Sequence, residues 1–302
     1  MSKFKCKNQG IWFCNLRFGI WIYFVICALA FDISYLFMKI IDLSLPIDDK
    51  AFEVHKVAIE RVTHKAGIKK FNRVIMGKTL AGRVKYLLGK RILKKEDLPD
   101  EEFLSLEVVH SPVHVGTHLD YSFHYGSKSE NRASKTAEEI PLEYCYQDGV
   151  RLNLTHKKPN EKILSADIEA ALKKINYKLK PLDIVFLHTG ADKFFGSPKY
   201  FSDYPGVDTS AIDYLLDQGV KIFGVDTMGI DRPYRFMLKE FLESKNLKAL
   251  YPAHFYGRKR EFIHIERLAN LEKLPATGFK VICFPVKIKN TGAAWSRVVA
   301  IL

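Results

Sequence analysis

From His110 to Gly126 the chain reads HSPVHVGTHLDYSFHYG, which puts four histidines and one aspartate into seventeen residues. The whole chain has ten histidines in 302 residues. Imidazole nitrogens and carboxylate oxygens are the donors that hold divalent transition metals. His114, His118 and Asp120 are all even-numbered, so an extended segment would show them on one face, with Gly116 leaving room between the two imidazoles. Val113, Val115, Thr117, Leu119 and Tyr121 would then face the other way, into a core. Two nitrogens and an oxygen on one strip can ligate a divalent metal, and the second carboxylate oxygen is free to bridge to another. His124 follows four residues later, past an expected turn, where it would reach the same pocket without being a ligand. His110 is surplus to the set and reads as structural.

Donors on one strand do not close a binuclear centre, so later elements must supply the rest. The candidates are His254, expected to end a strand ALYPAH, and Glu266, expected to open a helix IERLANLEKL. Their spacing alone is not diagnostic. The scaffold between them alternates strands and helices. Residues 39–46, 103–109, 149–156, 183–190 and 221–226 read as strands, the second as a half-buried one. Helices are expected at 165–179, capped by Ser165, at 209–218, ended by Gly219, and around 232–243 and 265–273. FKVICFPVKI and WSRVVAIL close the chain as strands. The strand-rich end points to a mixed α/β sheet rather than a regular parallel one. Residues 51–100 read as a basic helical insertion, either a solvated face or a lid or partner surface. Gly77-Lys78-Thr79 looks like the end of a phosphate loop, but Asn72 stands where the first glycine is required.

Composition narrows the classes. An apolar fraction of 47% fits a globular protein. The net charge of +13 is lysine-driven, with no arginine-rich tract and no basic run interleaved with aromatics, which argues against a nucleic-acid partner. The five cysteines, Cys6, Cys14, Cys27, Cys145 and Cys283, form no C-x-x-C pair and read as reduced thiols. Phe18–Phe31 is apolar and uncharged but short for a membrane span. Residues 1–37 therefore stand as a leader outside the folded domain: a non-native extension ahead of a true start at Met38, a signal peptide or an anchor. Location follows that choice: cytoplasmic, or exported if residues 1–30 are a signal, with membrane contact only if they are an anchor.

HVGTHLDYSFH resembles the H-x-G-T-H-x-D-x-P-x-H signature of the metal-dependent cyclase family, which includes kynurenine formamidases, isatin hydrolases and some polyketide cyclases. MKIIDLSLPI, IVFLHTGADKFFG, GVDTMGID, AHFYGRKREFIHIERLANLEKLP and the closing strands are similar to the family as well. The resemblance runs from residue 38 to the C-terminus, with 51–100 as an insertion. It implies a swivelling β/β/α fold in one catalytic domain, 38–302, and a homo-oligomer, dimer or tetramer. It also implies two divalent metal ions, zinc or manganese. His114 and His118 would bind one, His254 the other, with Asp120 and Glu266 bridging and His124 as general acid/base. The implied activity is hydrolysis of an amide C–N bond in a small molecule, as an arylformamidase of tryptophan catabolism converts N-formylkynurenine to kynurenine and formate. The same centre would serve a cyclase or dehydratase acting on a polyketide-like carbonyl compound. A non-catalytic protein binding acidic partners is the remote alternative, since a scaffold has no need for that donor set. Two residues depart from the family pattern: Ser122 replaces the proline, and Gly229 stands where many members have serine.

Overall fold

The computed structural model describes residues 38–302. The leader reading of residues 1–37 lies outside the described residues. In chain order the main strands are β1 (Ile40–Asp42), β2 (Ala58–Val62), β3 (Leu106–His110), β4 (His118–Asp120), β5 (Tyr146–Asn153), β6 (Ile184–His188), β7 (Ile222–Val225), β8 (Ile263–Glu266), β9 (Phe279–Ile282), β10 (Ala293–Trp295) and β11 (Val299–Ile301). The helices are α1 (His64–Met76), α2 (Leu80–Leu87), α3 (Ser122–Tyr125), α4 (Ser165–Lys174), α5 (Thr209–Asp217), α6 (Tyr234–Ser244) and α7 (Pro252–Tyr256).

Nine strands form one mixed sheet in the order β1-β11-β9-β5-β6-β7-β8-β4-β10. β5, β6, β7 and β8 run parallel, and the strands on either side pair antiparallel. Parallel strands covered on both faces need apolar residues at every position, and IVFLH of β6 is buried throughout. Val185 and Leu187 pack against α4 and α5 through Ile168, Leu172, Ile212 and Leu215. Ile184 and Phe186 point the other way, into a second core. That core joins Ile41 of β1 to Leu119 of β4 and Ile265 of β8, although β1 and β4 lie towards opposite ends of the strand order. A sheet does this only by curling round on itself. The result is the mixed α/β, β/β/α single domain expected. Each large apolar side chain buried in these cores contributes about 1.5–3 kcal/mol.

Several local expectations are corrected. The insertion is not wholly helical: β2 pairs antiparallel with β3, so residues 58–110 form a two-stranded ribbon with α1 and α2 between its strands. β3 is exposed at all five positions, not half-buried, because no sheet covers it. Thr79 caps α2 by accepting the Gly82 N–H at 3.0 Å, which gives Gly77-Lys78-Thr79 a structural use. Ser165 is the first residue of α4 rather than its cap, and the Asp167 carboxylate accepts the Leu164 N–H at 2.8 Å. ALYPAH is not a strand, since Pro252 opens α7. Residues 263–266 are strand where a helix was expected at 265–273, because Ile263 and Ile265 fill the second core at period two. Cys145 and Cys283 are buried free thiols just outside the paired strands β5 and β9, where the Cys283 N–H donates to the Cys145 carbonyl at 2.9 Å. Among the described residues, no helix is long and apolar enough to cross a membrane.

Candidate metal centre

β4 and β8 are antiparallel, with Asp120 opposite His264 and His118 opposite Glu266. Because side chains alternate, all four project from one face of the pair. All four are buried. His114 joins them from a turn, not from the extended strip expected. Its neighbour Gly116 has φ +76°, and a Cβ there would lie 2.9 Å from Ile47. Gly116 therefore serves the turn and its packing rather than a gap between imidazoles. Val115, Leu119 and Tyr121 are buried in the core, as expected.

Each imidazole is oriented by a partner behind it. His118 Nδ1 lies 2.9 Å from the Gly116 carbonyl, so Nδ1–H donates there and Nε2 faces the cluster as a bare acceptor. His254 sits on α7, and its Nδ1 lies 2.6 Å from Asp231 Oδ2. The Asp231 carboxylate also accepts the Ala253 and His254 N–H groups, at 2.8 and 3.2 Å. A carboxylate behind an imidazole is the usual support of a metal-binding histidine. Glu266 Oε1 accepts the Ile230 N–H at 3.0 Å.

The six residues singled out in the sequence converge. His114 Nδ1 is 3.1 Å and His118 Nε2 3.4 Å from Asp120 Oδ1. His124 Nε2 is 3.7 Å and His254 Nε2 3.8 Å from Asp120 Oδ2. His118 and His254 stand 3.5 and 3.6 Å from Glu266. His110 is elsewhere, exposed on the ribbon, 3.1 Å from Glu60. Two residues without an assigned role belong to the group: Asp231, behind His254, and His264. The alternation of Ile263, His264, Ile265 and Glu266 was the signal for His264, hidden by the helical reading of that stretch.

The donor set fits a divalent metal. Both oxygens of Asp120 and Nε2 of His118 are buried with no hydrogen-bond partner. A buried carboxylate left in that state costs several kcal/mol unless a cation meets it. Burial works to raise the Asp120 pKa, but the imidazoles of His118 and His124 overcome it and hold the carboxyl well below its usual range. Glu266 is likewise driven up by burial and brought down by His264, to about 2. Burial pushes His118 below the ordinary imidazole value and His124 down to about 4. Two donor groups result, His114–His118–Asp120 and Asp120–His254–His264–Glu266, with the ligand atoms of each within 4.8 Å of one another.

Above the donors opens a cavity of about 300 Å³. His114, Asp120, His124, His254 and Glu266 line its floor, and Val54, Pro112, Tyr204, Met228, Met237 and Tyr251 give it apolar walls. Val54 and His55 come from the start of the insertion, so that segment is part of the site wall. Buried Arg267, next to Glu266, pairs with Glu53 and ties that segment to the end of β8. Ser122 carries its own substitute for a proline. Its hydroxyl accepts the Lys135 N–H at 2.9 Å and donates to the Lys135 carbonyl at 3.3 Å, pinning the turn that presents His124. Gly229 adjoins the centre, where a Cβ would stand 3.4 Å from Glu266 Oε1.

The model of the family described as "Putative cyclase" matches residues 41–232, which includes the His114–His124 segment. The chain belongs to the cyclase family. An isatin hydrolase of Roseibium aggregatum is 26% identical over 147 residues, 46% of this chain and 52% of that protein. The chain thus spans about half the length of that relative. An uncharacterised protein of Methanocaldococcus jannaschii is 26% identical over 192 residues, 63% of this chain and 78% of its own. Among solved structures, an isatin hydrolase bound to the product analogue thioisatinate superposes with a TM-score of 0.67 at 17% identity, covering 92% of this chain and 97% of that one. Isatin hydrolase A of Ralstonia solanacearum gives 0.66 at 16% identity, with the same coverage. These structural likenesses show that the cyclase-family fold is shared.

Proposed function

We propose that this protein is a metal-dependent hydrolase that cleaves an amide C–N bond in a small, largely apolar substrate. The observation that carries the reading is the buried, unpartnered Asp120 carboxylate in the floor of an apolar cavity. His114, His118 and Asp120 would hold one divalent ion and His254, Glu266 and Asp120 a second, zinc or manganese. Such ions supply an acidified water and a polarised carbonyl. The chain's own residues do the rest. Tyr204, Met228, Met237 and Tyr251 wall off solvent and take up the apolar body of the substrate. His124 faces the same cavity within 4 Å of Asp120, its ring 4.2 Å from that of His114. Burial keeps it uncharged, so Nε2 takes a proton as the attack begins and returns it to the leaving nitrogen.

The family resemblance favours N-formylkynurenine as substrate, and the names of the relatives favour isatin, whose ring carries a cyclic amide. Purified protein offered each compound in turn, with formate release and ring opening as readouts, tests the reading. Turnover of either, lost on chelation and restored by zinc or manganese, is the expected result. Inertness towards both and towards other N-acyl arylamines would sink it. Ring closure of a carbonyl substrate would shift the function to the cyclase reading, which uses the same residues. We also propose that residues 38–302 suffice for activity. β1 begins at Ile40, the Lys39 and Leu302 backbones pair across it, and among the described residues every donor of the two groups lies between His114 and Glu266. A chain beginning at Met38 should match the full-length protein in turnover per bound metal.

A further inference from the structure

The two donor groups are unequal, and His264 makes them so. Its imidazole is fully buried and packs against two aromatic rings. The Tyr125 ring is stacked at 5.8 Å and 16°, and the Phe223 ring at 6.1 Å and 23°. Nδ1 lies 2.8 Å from the Tyr125 hydroxyl. That hydroxyl also stands 3.2 Å from the Asp120 carbonyl and 3.3 Å from the Phe262 carbonyl, neither of which can donate. Tyr125 has one proton and three acceptors within reach, the two carbonyls and His264 Nδ1. With that proton on a carbonyl, the oxygen accepts from His264 Nδ1–H, which leaves Nε2 of the neutral ring as a bare lone pair. Nε2 points between two carboxylates, 2.9 Å from Glu266 Oε1 and 3.3 Å from Asp120 Oδ2. A lone pair aimed at two anions is repulsive until a cation stands among them.

We propose that His264 is a direct metal ligand, the fourth protein donor of an inner pocket formed with His254, Asp120 and Glu266. This rests on the metal-centre reading above. Four protein donors make a closed site, whereas three leave a coordination position open for chemistry. The inner group has four donors, and its His264, Asp120 and Glu266 are buried. The outer group has three, and His114, about a third exposed, borders the cavity. The inner ion therefore fixes the strands and the charge, and the outer position, beside His114 and His124, is where substrate is engaged. The register of β4 against β8 builds this division, because it sets His264 directly across from Asp120.

The test titrates zinc into chelator-stripped wild type and into His264→Phe and His264→Gln. It reads metal per chain by elemental analysis and affinity by competition with a chromophoric chelator. Phenylalanine keeps the stacking on Tyr125 and Phe223 but removes both nitrogens, and glutamine returns a single donor. Wild type should bind two zinc ions. His264→Phe should weaken one of them by more than 100-fold, beyond the 10–100-fold cost of losing an outer supporting partner. His264→Gln should recover part of that loss. A change of 100-fold or less in His264→Phe would overturn the assignment. A wild type that binds no zinc would instead overturn the metal-centre reading beneath it. Should the variants fail to fold, X-ray absorption on the zinc-loaded wild type decides. Four histidine ligands over two ions give an average of two imidazoles per zinc, and a lower average refutes a ligating His264.

Discussion

The two halves of the centre are built in opposite ways. The first takes His114, His118 and Asp120 from seven consecutive residues, a turn running into β4. The second borrows Asp120 and adds His254 from α7 with His264 and Glu266 from β8. Local chemistry organises the first half, through a backbone carbonyl behind His118 and a glycine turn before it. Tertiary packing organises the second, through Asp231 reaching across to His254 and through the strand register that puts His264 opposite Asp120. A donor set confined to one stretch can be read from its spacing. One that depends on strand pairing cannot.

That contrast explains what the sequence disclosed. The buried strands β6 and β7 and the helices α4, α5 and α6 were legible because their apolar periods speak for themselves, even though the cap of α4 was misplaced by one residue. Glu266 and His254 were found by resemblance, but their elements were misassigned. IERLANLEKL has helical composition, and only the core contacts of Ile263 and Ile265 make its beginning a strand. Asp231 sat inside the quoted GVDTMGID with no mark to separate it from Asp226. Asp226 is equally buried but accepts the Thr189 and Gly190 N–H groups at the end of β6, a structural task. The insertion misled for a different reason. β2 read as helix, and the alternation of β3 just beyond the insertion serves an exposed ribbon, so burial could not discipline the pattern.

The largest effect should come from the residue common to both halves. Asp120→Asn removes the charge shared by the two groups and should empty both, taking turnover below detection. Elemental analysis checks the first part, and near-ultraviolet circular dichroism shows whether the fold survives. An Asp120→Asn protein that keeps two ions would mean the halves do not share this carboxylate.

His124→Ala should separate chemistry from binding. His124 borders the first half without belonging to either donor group. Metal content should stay at the wild-type level while turnover falls by about 10²–10⁴-fold, the usual cost of a lost general acid/base. Loss of one ion in this variant would move His124 into the first half as a ligand.

Asp231→Asn acts on the second half alone. An asparagine still accepts from His254 Nδ1–H but no longer supplies the negative charge that strengthens the imidazole. One of two zinc affinities should fall by about 10–100-fold, with the other unchanged. Equal weakening of both would show that the halves are coupled through more than Asp120.

Ser122→Ala tests the support of the first half and should give the smallest effect. The hydroxyl accepts the Lys135 N–H at 2.9 Å, and its removal leaves that donor unpaired in a half-buried position. The cost is about 1 kcal/mol. For a domain of this size that lowers the melting temperature by about 2–4 °C. The backbone bonds from Phe123 N–H to Lys135 O and from His124 N–H to Tyr121 O, at 2.9 and 2.8 Å, remain. His124 therefore keeps its place, and turnover should stay within about tenfold of wild type, well short of the loss expected for His124→Ala. Thermal denaturation and steady-state rates measure the two parts separately. A Ser122→Ala protein as stable as wild type but as slow as His124→Ala would show that the hydroxyl acts in the reaction itself, and that the first half reaches one residue further than its donors.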